Sequence, residues 1–146
     1  MSMSWFAVLN QSQMKIFTRD SHDQPLRLIK TVSNPLVDIK DKDLSRHKPG
    51  VRVKGGSGSR ISIMNSGESP HDLIVVDFAH TLGKYLNASR KKNQFKELQI
   101  SAEPKFLGLI KSQLDKETSK CVRVWVAKDL QKEDISGITK AFSANE

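Results

Sequence analysis

Apolar and polar positions along the chain follow two periods in turn, and the switch between them predicts a mixed α/β architecture. Trp5 to Leu9 is a continuous apolar run, short enough for a strand buried on both faces. The polar tetrad NQSQ follows, and Met14-Lys15-Ile16-Phe17 then alternates, so the two runs predict a hairpin. DSHDQP at 20–25 predicts a turn, and Leu26 to Val32 a third strand, stopped by Asn34-Pro35. After a long polar interval the period lengthens. Ser69-Pro70-His71-Asp72 carries the marks of a helix start: a hydroxyl N-cap, proline at the first helical position and an acid at the positive end of the dipole. Val75, Phe78, Ala79, Leu82, Tyr85 and Leu86 then recur at three-and-four spacing, a stripe that faces a core. Phe95 to Ser101 predicts a strand. Pro104 to Leu114 predicts a helix with Phe106, Leu107, Ile110 and Leu114 on one face. Val122 to Ala127 predicts a strand, and Lys132 to Phe142 a last helix through Ile135, Ile138 and Phe142. The order is β-β-β-α-β-α-β-α, an antiparallel meander followed by crossovers, which predicts one mixed sheet with helices on its faces. Its core is expected to hold Val8, Ile16, Phe78, Leu82, Ile100, Leu107, Val124 and Val126.

Composition fits this picture. Residues 1–146 are one domain's worth of chain. That length buries roughly two-thirds of its unfolded surface and needs no covalent staples. Hydrophobic content of 37% with 27% charged residues is globular rather than disordered. Cys121 is the single cysteine, so no internal disulfide forms, and its place at the head of an apolar run predicts a buried, inert thiol. The stretch MSMSWFAVLNQSQM has no basic n-region, and WFAVL is too short for a signal core or a membrane span. A cytoplasmic protein is expected.

Charge adds a candidate interface. Formal net charge is +8, and it is unevenly spread. Lys42 to Arg60 holds six Lys or Arg against one acid, Asp43; Lys84 to Lys96 holds five basic residues and no acid. Two basic segments on a slightly acidic body predict a surface that faces a polyanion, if the fold brings them together. The first lies in a polar, Gly/Pro-punctuated connection whose basic, glycine-rich part covers about 42–68. Long connections inside compact domains are usually functional or disordered. At its centre, VRVKGGSGSR carries Arg52, Lys54 and Arg60 with Gly55, Gly56 and Gly58. Glycine there serves either a positive φ or the close approach of a ligand to the backbone.

Candidate catalytic chemistry fails on residue type. The β-β-β-α-β-α-β-α order is that of ribonuclease H-like folds, whose nucleases bind divalent metals through carboxylates, one of them on the first strand. Here WFAVLN has no acid and closes on Asn10, which leaves Asp72, Asp77 and Glu103 without a first-strand partner. The glycine loop lacks the Gly-Lys-Ser/Thr end of a P-loop and the third glycine of a dinucleotide fingerprint. Gly55-Gly56-Ser57-Gly58 matches the GXXG clamp of KH domains in letters only, because it follows a strand-like VRVK rather than joining two helices. His71 and His80 are nine apart, with no metal-binding spacing, and suit surface or capping roles. Ser57 and Ser59 have no base in evident reach. No catalytic residue, metal or cofactor is expected.

Several motifs carry a family resemblance over nearly the whole chain: WFAVLNQSQMKIF, VSNP, KDKDL, HKPG, EPKFLGLIKSQL and VAKDL. In this order they resemble the bacterial host attachment proteins, the proteins required for attachment to host cells. That family in turn resembles the middle domain of archaeal and eukaryotic peptide-chain release factors, itself ribonuclease H-like. There a basic loop ending in Gly-Gly-Gln precedes a long helix and enters the ribosomal peptidyl-transferase centre. Lys54-Gly55-Gly56-Ser57 stands in the corresponding place, with Ser57 where the glutamine would be. The resemblance therefore implies ribosome or structured-RNA binding without peptidyl-tRNA hydrolysis. The phosphate-contacting residues it singles out are Arg52, Lys54, Gly55, Gly56, Ser57 and Arg60, with Lys91 and Lys92 from the second basic segment. Two other readings stand beside it: an envelope or surface factor acting in attachment, and an unrecognised hydrolase or nuclease.

Overall fold

The structure, a computed structural model, describes residues 4–36 and 69–145. Within them the elements run β1 (Ser4–Leu9), β2 (Gln13–Thr18), β3 (Arg27–Ser33), α1 (Pro70–Lys91), β4 (Glu97–Ser101), α2 (Pro104–Gln113), α3 (Lys116–Cys121), β5 (Val122–Val126) and α4 (Ile135–Ala144). The five strands form one sheet in the order β3-β2-β1-β4-β5. β1 pairs antiparallel with β2 and parallel with β4; β2 pairs antiparallel with β3, and β4 parallel with β5. This is the mixed sheet expected, in an order compatible with a ribonuclease H-like arrangement.

β1 is central because it is apolar on both sides. Trp5, Ala7 and Leu9 point into one core cluster, with Phe78, Leu82 and Leu86 of α1 and Phe106 and Ile110 of α2. Phe6 and Val8 point into the other, with Val124 and Val126 of β5 and Ile138 and Phe142 of α4. Every residue expected in the core is buried. The hairpin between β1 and β2 closes on Asn10, whose Oδ1 accepts the Ser12 N–H at 2.8 Å and the Gln13 N–H at 2.9 Å. At the sheet's edge β3 is largely exposed, with Leu28 and Ile29 open to solvent. Its Arg27 and Lys30 are charges of the kind that discourage edge-to-edge pairing.

Three local expectations are corrected. An extra helix, α3, sits between α2 and β5; it buries only Thr118, so it has no apolar stripe to announce it, and its signal is the Asp115 N-cap. Cys121 is the last residue of α3, half-buried rather than buried at the head of a strand. α4 begins at Ile135 instead of near Lys132, because the Asp134 carboxylate caps it by accepting the Gly137 N–H at 2.8 Å.

β4 is less apolar than its neighbours on the α4 side. Gln99 pairs with Phe6 and Ser101 with Val8, and both polar residues are buried. Gln99 Oε1 and Ser101 Oγ have no hydrogen-bond partner among the described residues. A buried hydroxyl without a partner costs about 1–3 kcal/mol of desolvation. Ser101→Ala is therefore expected to leave stability unchanged or raise it by about 1 kcal/mol, as read from urea unfolding. A clear loss would show that the hydroxyl is satisfied in solution.

Candidate nucleic-acid interface

The parallel strands give the sheet two chemically different edges. The carboxyl ends of β1, β4 and β5 lie at one, and their amino ends at the other. α1 runs between the two edges. Its first turn is held by reciprocal capping: Ser69 Oγ accepts the Asp72 N–H at 3.1 Å, and the Asp72 carboxylate accepts the Ser69 N–H at 3.5 Å. Its 22 residues span roughly 33 Å. At the far end Asn93 adopts φ 57, a left-handed conformation that asparagine tolerates, and the chain turns into β4.

The basic run from Lys84 to Lys96 divides at this end. Arg90 is drawn into structure: its Nε donates to the Thr118 hydroxyl at 2.9 Å, and its Nη2 lies 3.6 Å from Asp115 Oδ2. Lys84, Lys91, Lys92 and Lys96 are exposed. None of these four is ion-paired among the described residues. The fold then adds cations that lie outside the run. α3 packs beside the end of α1 through Arg90, which brings exposed Lys116 and Lys120 to the same edge, and β5 starts there with exposed Arg123. Lys120 is 3.6 Å from Glu117 and Arg123 3.7 Å from Glu97, so both are partly offset. The sequence signal for these cations was the charged KETSK stretch ahead of the last strand.

Asp115 is the residue that holds α3 against α1. The backbone N–H and hydroxyl of Thr118, with Arg90 and Lys91 beside it, keep its carboxyl below the ordinary carboxylate value against the opposing effect of desolvation. A carboxylate with a depressed folded pKa stabilises above its unfolded pKa, and that contribution is lost as pH falls through the folded value. The melting-temperature gap between the wild type and Asp115→Asn is thus expected to be widest near neutral pH and to close below about pH 4.

At the carboxyl edge lies a cleft of about 620 Å³ whose polar lining includes Asn10, Asp72, Glu103 and Asp129. There β1 turns back into β2 through the Asn10 hairpin, while β4 leads into α2. The carboxylates are engaged in backbone caps. Asp72 caps α1; Glu103 accepts the Phe106 N–H at 2.8 Å at the start of α2; Asp129 accepts the Gln131 N–H at 2.9 Å. Among the described residues no group of three or more His, Cys, Asp or Glu could hold a metal ion. Asp77 lies outside the cleft lining, and His80 Nδ1 meets Gln113 Oε1 at 2.7 Å.

The model of the family described as protein required for attachment to host cells matches residues 5–141. The chain belongs to that family. The match runs from the second residue of β1 into α4, so it touches every strand and helix of the described structure. No curated protein matches the chain.

In this host-attachment family member the expected phosphate-contacting residues fall into two groups. Arg52, Lys54, Gly55, Gly56, Ser57 and Arg60 lie outside the described residues. Their segment departs after Leu36 and returns at Ser69, both at the carboxyl edge: the Asn34 N–H donates to Ser12 O at 2.8 Å, and Ser69 caps α1. Lys91 and Lys92 stand at the opposite end of α1. The two basic segments are thus rooted a helix length apart. Among the described residues no helix is long and apolar enough to cross a membrane.

Proposed function

We propose that this protein binds structured RNA, the ribosome foremost, and performs no chemistry on it. The observation that carries the reading is a cluster of exposed lysines. Exposed Lys91, Lys92, Lys96, Lys116 and Lys120 gather at the amino edge of the sheet, with the acids Glu97, Asp115 and Glu117 beside them. Of these lysines, Lys120 alone has a carboxylate partner among the described residues, Glu117, and exposed lysines suit phosphate contacts, which position a nucleic acid without reading its sequence. Arg52, Lys54 and Arg60 supply charge from the glycine-rich loop, and Gly55, Gly56 and Ser57 supply backbone amides. The loop's resemblance in position to that of the release-factor middle domain supports the ribosome as the target. Ser57 in place of the glutamine argues against peptide release.

The test is binding to ribosomes or ribosomal RNA across a salt series. Each phosphate contact contributes about 0.9 to the slope of log affinity against log salt on a duplex. Lys91→Gln with Lys92→Gln should remove roughly two units of slope, and Arg52→Ala, Lys54→Ala and Arg60→Ala together roughly three. Melting temperature should hardly move, since exposed charges seldom contribute more than about 0.5 kcal/mol. Wild-type binding by both variants at every salt concentration rejects the reading, and magnesium- or manganese-dependent RNA cleavage by the pure protein rejects its non-catalytic part. The family match favours a second reading, an envelope-associated factor in attachment. Cell fractionation separates the two: co-sedimentation with ribosomes supports the first, and enrichment with the envelope the second.

A further inference from the structure

On the face of the sheet covered by α4, the turn between β2 and β3 and the first turns of α4 enclose a shallow cleft of about 510 Å³. Arg19, His22 and Asp23 line it from the turn, and Ser136, Thr139 and Lys140 from the helix. Arg19 is held in a way that its surface position does not require. Its guanidinium carbon lies 5.1 Å from the centroid of the Phe6 ring, and Phe6 is itself buried edge-on against Phe142, with ring centroids 5.4 Å apart. Its Nη2 is 3.2 Å from His22 Nδ1. Arginine can only donate, so in this contact His22 Nδ1 is the acceptor. The guanidinium is therefore fixed by a ring face and an imidazole, neither of which neutralises it.

Of the acids near it in the fold, two are engaged elsewhere and Asp23 shares the cleft lining. Asp20 pairs with Arg27 at 3.3 Å, and Asp134 caps α4. Among the described residues neither Arg19 nor Lys140 is ion-paired. Ser136 and Lys140 are four residues apart and so share a face of α4. A planar guanidinium fork, an ammonium and a hydroxyl that line one concavity match the oxygens of a phosphate group. Because the ring platform already orders the arginine, binding loses less side-chain freedom than it would at a solvated one. Asp23, in the same lining, opposes an anion and limits its affinity.

We propose that this cleft is a phosphate-binding site, with Arg19 and Lys140 as its charged ligands and Ser136 as a hydroxyl donor. The site does not depend on RNA binding at the amino edge. Either a free phosphomonoester or a backbone phosphate supplies the required chemistry, and the experiment separates these sources. The full-length protein, isotopically labelled, is titrated at constant ionic strength with inorganic phosphate, with adenosine 5′-monophosphate and with a short RNA lacking terminal phosphates. Amide resonances and the Arg19 Nε–H are followed by NMR.

Saturable shifts at His22, Asp23, Ser136 and Arg19 are expected with at least one probe. Shifts with the monophosphates alone assign a phosphomonoester, and shifts with the RNA assign a backbone phosphate. Arg19→Gln and Lys140→Gln should each weaken binding about tenfold, the scale of one charge-assisted hydrogen bond. Asp23→Asn should tighten it. If Arg19 serves only to cover Phe6, Arg19→Gln will lower the melting temperature and leave the shifts in place. That result overturns the proposal, as do shifts that fail to saturate with all three probes or that ignore the lysine substitution.

Discussion

Truncating Phe78 to alanine is expected to lower the unfolding free energy by about 3–5 kcal/mol. Phe78 is buried in the larger core cluster, and its ring stacks on Phe106 of α2 with centroids 6.4 Å apart. The substitution removes both the transfer free energy of the ring and the only stacked aromatic pair that joins these two helices among the described residues. The loss should fall in the lower half of that range. Phe78 also borders a small cleft of about 180 Å³ shared with Val32 and Ile74, where neighbouring side chains have room to move in. Urea unfolding at constant slope measures it. A loss below about 1 kcal/mol would mean that α1 does not dock as described.

The second large effect concerns Gly83, a glycine in the middle of a 22-residue helix. On an exposed helix, alanine in place of glycine stabilises by roughly 0.5–1 kcal/mol. At Gly83 the sign is expected to reverse. A Cβ there would lie 2.5 Å from the Gln113 Cβ and 3.2 Å from the Gln113 carbonyl oxygen, at the end of α2. Neither is the loose end of a side chain, so α1 must move away from α2. The Asn87 side chain donates to that same carbonyl at 3.2 Å and accepts the Asp115 N–H at 3.0 Å, which ties down the neighbouring turn. Gly83→Ala should cost about 1–3 kcal/mol, as overpacking of a fixed contact does. Gly108 supplies the control, since it is a helical glycine with nothing within 4 Å of where its Cβ would be. Gly108→Ala should stabilise by roughly 0.5–1 kcal/mol. Equal effects of the two substitutions would remove the close approach of α1 and α2.

The candidate interface was only partly visible in the sequence, and the difference is one of range. Lys91 and Lys92 could be picked out as a charge cluster, and they are exposed as such a cluster should be. Arg90, adjacent in sequence, could not be told from them. It is committed to Thr118 and Asp115, and the Thr118 bond spans 28 residues. Lys116 and Lys120 belong to no basic run in the sequence, and only α3 sets them beside the end of α1. Arg19 just precedes the DSHDQP turn and carries no sequence signal of its own; only its packing over Phe6 makes it a fixed guanidinium.

What the sequence determined by itself is the set of properties carried by a single segment. The apolar run of β1, the alternation of β2, the Ser69-Pro70-Asp72 start of α1 and its core stripe are each complete within a few turns or strand lengths. The same holds for the missing acid at the end of β1, because residue type at Asn10 settles it without coordinates. The tertiary structure decided everything that depends on two segments meeting. It chose which cations lose their charge to a partner and which remain open to solvent. It also put Gly83 against Gln113, and engaged the carboxylates of Asp72, Glu103 and Asp129 in capping backbone N–H groups at the cleft. The physical reason is that hydrophobic periodicity is a local property of the chain, whereas the pairing of charges and the contact of backbones arise only where distant segments are packed together.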